Sequence, residues 1–198
     1  MPTVPKLGRG DTDLKNLLRL QNPGEPLPFD TDRDFIEELQ SRTNLKGAIE
    51  QAKGKDEKGA EEVFTRFGQE SMDLVIELHE KYKDRTAEMV DIVAKQTGSS
   101  FPHKLQLLLE ESLLCIRPAD RWGVAEGTHQ AIRIQVYGCS VLQALRDGGK
   151  EPEGLPCRCI ELAGFRRAAD ALKLSVAIEQ SKTLPKDRVC EFVIRPGA

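Results

Sequence analysis

Apolar residues recur every third or fourth position through the first half of the chain and every second position after Trp122. The first spacing belongs to helices with one buried stripe, the second to strands with one buried face. Phe35, Ile36 and Leu39 predict a helix that Asp32 would cap, with Leu45 and Ile49 continuing after a break. Gly54 and Gly59 mark a turn. Val63, Phe67, Leu74, Leu78 and Tyr82, followed by Met89, Ile92 and Val93, predict one long helix over about 60–96. Its other face carries Glu61, Glu62, Glu70, Glu77, Glu80 and Lys81 and reads as solvated. The stretch 98–102, Gly-Ser-Ser-Phe-Pro, stops it. A helix over 103–116 follows, with Leu105, Leu107, Leu108, Leu109, Leu113 and Leu114. Apolar nearly all round, it should be central. Arg117-Pro118 ends it.

From Trp122 the pattern predicts a sheet. Val124–Glu126 reads as a strand, Gly127-Thr128-His129 as a turn, and 131–137 as a second strand with Ile132, Ile134 and Val136 facing inward. Ser140 to Asp147 reads as a helix stopped by Gly148-Gly149. A helix over 157–172 carries Ile160, Phe165, Ala168 and Leu172. Leu174, Val176 and Ile178 share one strand face. Cys190, Phe192 and Ile194 share another, with 184–187 as the turn between. Short connections favour antiparallel pairing. The predicted fold is α+β: a helical N-terminal half packed on a four-stranded antiparallel sheet with two inserted helices. Residues 1–30, with Pro2, Pro5, Pro23, Pro26 and Pro28, read as an extended arm with one short helix near 13–21. Residues 31–198 read as a single domain, divided into a helical half (31–118) and a cysteine-bearing sheet half (119–198).

Composition narrows the function. The chain has 198 residues and a net charge of −3, so no global field draws it to nucleic acid or an anionic membrane. Basic and aromatic residues are not interleaved, so nucleic-acid binding has no support. No run of 18 apolar residues and no signal-peptide pattern is present. Five cysteines, an odd number, fit a reduced, cytoplasmic setting. The long helix and the arm leave room for a homo-oligomer. No dinucleotide, phosphate-loop, nucleophile-elbow or zinc-protease motif occurs, and no cofactor is expected.

Chemistry concentrates between Cys139 and Cys190. Cys139 follows a strand and Gly138 and opens a helix, where free N–H groups favour a thiolate and could receive an oxyanion. It is the predicted nucleophile and the thiol expected to react first; the alternative is a cysteine that merely fills a tight corner. Glu126 and His129, three residues apart, could serve as base and orienter, or be ordinary solvated turn residues. Cys157 and Cys159 form a C-x-C after Pro156. On a helix their side chains diverge, so they converge on a metal only if Cys157 precedes the helix. Any thiolate metal site would use Cys139, Cys157 and Cys159. Cys115 and Cys190 read as core residues.

The strand IRIQVYGC (132–139), the segment CRCIELAGF (157–165), the turn SKTL (181–184) and the strand CEFVI (190–194) together resemble the L-2-amino-thiazoline-4-carboxylic acid hydrolase-like family. More distantly they resemble the 4-vinyl-reductase-type ligand-binding domain. The first resemblance implies a hydrolase that opens a small cyclic thio-amidine at a C–N bond. Cys139 would be nucleophile, Glu126 or His129 base, and Glu161 the orienter of the leaving nitrogen. Trp122, Tyr137 and Cys159 would line the substrate site. The competing expectation is a non-catalytic sensor or carrier that binds a small molecule or a metal.

Overall fold

The computed structural model describes residues 33–82, 103–128, 130–149 and 158–197. The N-terminal arm, the far end of the long helix, its stop at 98–102, His129 and Cys157 lie outside the described residues, as does the side chain of Cys159.

The helical half begins with α1 (Arg33–Arg42), α2 (Leu45–Ala52) and α3 (Glu57–Tyr82). Asn44 caps α2 by accepting the Gly47 N–H at 2.8 Å, and Asp56 does the same for α3 through Gly59 at 2.9 Å. The apolar stripe of α3 is buried from Ala60 to Leu78, as its spacing predicts. Helix α4 (His103–Glu111) runs directly into a π-helical turn, Ser112–Ile116. Leu105, Leu107, Leu108, Leu109 and Leu113 are all buried.

The sheet half is fully antiparallel. Strands β1 (Arg121–Gly127), β2 (Ile132–Gly138), β3 (Val176–Lys182) and β4 (Cys190–Pro196) lie in the order β1-β2-β4-β3. Helices α5 (Ser140–Asp147) and α6 (Arg158–Ala171) are inserted between β2 and β3. The predicted turn at 184–187 is a single helical turn, α7 (Leu184–Asp187), which Arg188 closes with a left-handed φ of 61°. The α+β architecture is therefore as the alternation predicts.

Register explains the core. Val124 lies opposite Ile134, Ile134 opposite Phe192, and Ile178 opposite Ile194, so one sheet face is continuously apolar. That face packs on α3, α4 and α6, and Phe165 meets Phe192 edge-on at 5.3 Å. A smaller cluster joins α2, the start of α3, α5 and Ile160. Ile116 and Cys139 touch both clusters.

Helices α3 and α6 cross at two glycines. A Cβ on Gly68 would lie 2.3 Å from the carbonyl oxygen of Ile160, and one on Gly164 would lie 3.3 Å from the carbonyl oxygen of Gly68. Only a missing side chain permits that approach. Among the described residues, no helix is long and apolar enough to cross a membrane.

Candidate functional site

The site forms where four elements end together. The π turn closes with the Arg117 N–H on Leu113 O at 3.3 Å, and Pro118 cannot extend it. The Arg117 side chain, 3% exposed, turns inward. Its Nη1 donates to Glu161 in the first turn of α6, and its Nη2 forms an ion pair with Asp120 Oδ2. Asp120 uses its other oxygen to accept the Ser140 N–H at 2.6 Å, so it holds the first turn of α5. Cys139 is the N-cap of that helix, and its Sγ accepts the Leu142 N–H at 3.4 Å. Arg117 thus ties the π turn, the loop before β1, α5 and α6 to one point.

Electrostatics at this point set the chemistry. Burial opposes the charge on Arg117, but Glu161, Cys139 and Asp120 outweigh it and hold the guanidinium above its ordinary value. Burial pushes the Glu161 carboxyl up against the pull of Arg117. Burial also pushes the Cys139 thiol up, to about 11; Arg117 draws it down, and Glu161 and Asp120 push it higher. The lowered thiol pKa that the helix start predicts is therefore reversed. Desolvation and two carboxylates exceed the help of one backbone N–H and one shared guanidinium. Cys115 is pushed up by burial to about 12, and Cys190, whose Sγ accepts the Leu184 N–H at 3.2 Å, is also pushed up by burial.

The other predicted residues scatter. Glu126 pairs with Arg133 at 3.5 Å on the outer sheet face. Arg133 lies six residues before Cys139 on β2, roughly 20 Å along an extended strand. Trp122 packs on the core face opposite Val136. Tyr137, 48% exposed, donates to Gln135 Oε1 at 2.6 Å on the other face. Of the predicted catalytic and binding residues, the structure brings Cys139 and Glu161 together. Sequence reasoning missed Arg117 and Asp120. The available signal was two charges three apart around Pro118, wedged between the most apolar helix and the first strand. Among the described residues, no group of three or more His, Cys, Asp and Glu side chains is placed to hold a metal.

Beside Arg117 lies a cavity of about 30 Å³ between α3, the π turn and α6. Met72, Leu113, Ile160 and Phe165 form its apolar wall, and Ser71, Ser112, Arg117 and Glu161 supply the polar side chains. Arg117 Nε is buried and has no hydrogen-bond partner among the described residues.

No family model and no curated protein matches the chain. Solved structures of H-NOX domains do match. A structure described as giving insight into the mechanism of H-NOX activation is 14% identical, with a TM-score of 0.38, covering 96% of this chain and 89% of that one. The Fe(II) unliganded H-NOX protein from K. algicida is 10% identical, with a TM-score of 0.35, covering 83% and 94%. An oxygen-binding H-NOX domain related to soluble guanylate cyclases, in its oxygen complex, is 10% identical, with a TM-score of 0.33, covering 83% and 92%. These values assign no function. The findings do correct the resemblance drawn from the cysteine-bearing segments: no family model or curated protein supports it, the matched structures named above are H-NOX domains, and the ring-opening hydrolase reading falls with the family. The segments that carried the resemblance are short strand and helix ends, where Cys139 and Cys190 and the apolar alternation serve packing.

Proposed function

We propose that this chain is a non-catalytic small-molecule-binding domain of the sensor or carrier type. The observation that carries the reading is the setting of Cys139: a partly buried thiol whose pKa burial raises, beside a carboxylate already committed to Arg117. A nucleophile needs a thiolate or an adjacent base. Glu126, at the far end of the hairpin, supplies neither. What the site offers instead is a small cavity with a largely apolar wall and a few polar groups, the usual make-up of a binding site.

Two further matched structures are described in terms of haem distortion and haem redox potential. Among the described residues the space between sheet and helices is filled by Leu105, Leu109, Ile132, Phe165 and Phe192, all fully buried. The cavity at Arg117, about 30 Å³, is far below the several hundred Å³ of ordinary cofactor sites and does not fit a porphyrin. No step of the proposed function passes through one.

The test is a thermal-shift screen of the full chain against small polar and apolar molecules, with mass analysis of each compound afterwards. A binder raises Tm by mass action and leaves the screen chemically unchanged. Turnover of a compound, or a covalent adduct on Cys139 that Cys139→Ser abolishes, would overturn the reading.

A further inference from the structure

We propose that the open edge of β3 pairs antiparallel with β3 of a second copy of this chain, with Ala177 on the two-fold axis and Val176 of each copy opposite Ile178 of the other. The pairing is independent of any small ligand.

The two edges of the sheet differ. β1 breaks register twice, between Arg121 and Trp122 and between Val124 and Glu126, and such irregularities blunt an edge against pairing. β3 keeps register with β4 from Val176 to Gln180, and its one irregularity, before Lys182, lies beyond that stretch. Among the described residues, the backbone of 176–180 bonds to β4 alone. Alternation along the strand tells which groups are left over. Ser175 O accepts the Gly197 N–H at 2.7 Å, so Ser175, Ala177 and Glu179 turn their main-chain groups toward β4. Val176 and Ile178 turn theirs to the open edge. Val176 lies opposite Pro196, which has no N–H to give.

Side chains choose the occupant. Ile134, Phe192 and Ile194 are buried on the core face, whereas Val176 and Ile178, at the edge of that face, are half-buried. A strand that continues this row must be extended and apolar there, and β3 itself meets both needs. In the proposed register Val176 and Ile178 of facing copies exchange both N–H···O=C bonds and cover each other's side chains. Ala177, exposed and small, meets its own copy at the axis. Glu179, tied to Arg195 at 2.5 Å, stands opposite Ser175 of the other copy, one pleat from its Lys173. It therefore approaches opposite charge and not a second glutamate. A single strand pair covers less surface than a standard interface, so the dimer should be weak and concentration-dependent.

Sedimentation equilibrium of the full chain from ~1 μM to ~1 mM tests the pairing, and the mass should rise from one copy toward two across that range. Val176→Pro removes the outward N–H at the first residue of an edge strand, where proline is tolerated, and should raise the dissociation constant at least ~5-fold. Ala177→Lys and Ala177→Glu each put like charges face to face at the axis and should weaken the dimer about 2- to 5-fold. An equimolar mixture of those two should recover the parent's association or exceed it. Ala177 is exposed, so its variants should keep the monomer fold even where Val176→Pro does not. A chain that stays monomeric to ~1 mM overturns the proposal. So does a dimer that Val176→Pro and both Ala177 variants leave unchanged, and so does a mixture no tighter than either variant alone.

Discussion

Cys139 shows how one residue's setting can reverse its expected chemistry. Its position at a helix start is as the sequence predicts, yet burial pushes its thiol up to about 11. At neutral pH the thiolate is then roughly one part in ten thousand, against a few per cent for a free cysteine. Iodoacetamide should therefore label Cys139 at least ~100-fold more slowly in the native protein than in urea, as read by peptide mapping. The same shift has a stability consequence of known sign. Between the unfolded thiol's value of about 9 and the folded value of about 11, the unfolded state releases a proton that the folded state keeps. Stability therefore falls as pH rises through that window. Arg117 makes a second prediction. Arg117→Met alone leaves Asp120 and Glu161 buried without their cation, and urea melts should show a loss of about 3–5 kcal/mol. Adding Glu161→Leu to that variant should recover part of the loss, because one of the two stranded charges is gone.

At the scale of elements, strands and helices were largely legible and their polar contacts were not. Ile132, Ile134 and Val136 face the core as their alternation predicts, and α5 spans Ser140–Asp147 as its glycine stop predicts. Glu191 sits between Cys190 and Phe192 on β4, so period two turns it away from their face, yet it is only 3% exposed. Arg133 Nη1, Gln135 Nε2 and Ser181 Oγ donate to it at 3.0, 2.6 and 2.7 Å, and Lys182 Nζ lies at 3.4 Å. Those donors come from the two strands on either side, β2 and β3, so period-two reading of one strand could not reveal them. Burial works against this carboxylate, but its donors outweigh burial and hold it at about 2. Its stabilising contribution is present above the unfolded value near 4.5 and is lost as pH falls toward 2. Urea midpoints of Glu191→Gln at pH 6 and pH 3 should differ less than those of the parent, with a loss of about 1–3 kcal/mol at pH 6. The helix crossing gives a separate test. Gly68→Ala forces a methyl into the backbone of α6 and should destabilise by about 1–3 kcal/mol, whereas the helix propensity of alanine alone would favour it.

For the whole molecule, the α+β class followed from the switch of period at Trp122, and the site did not. Arg117 and Glu161 stand 44 positions apart, and only the packing of α6 on the π turn joins them. The two core clusters are unequal. The larger holds four strands and the central helices around Phe165 and Phe192, while the smaller leans on Ala48, Ala52 and Ala60. Native-state hydrogen exchange should find the amides of α2 opening at lower free energy than those of β2 and β4. Equal protection in both regions would mean that the clusters unfold as one.

The strand order has a consequence in time. β1 and β2 are neighbours in the chain and can pair early, but β2 finds its second partner only in β4, about sixty residues later. Until then the apolar edge of β2 stands open. Contacts that distant fold slowly, because the intervening loop must close before they reward it. During synthesis the hairpin β1–β2 emerges well before β4, with Ile132, Ile134 and Val136 lacking their final cover. That interval is when this protein is most prone to pair with a neighbouring copy, and when a chaperone would have most to shield.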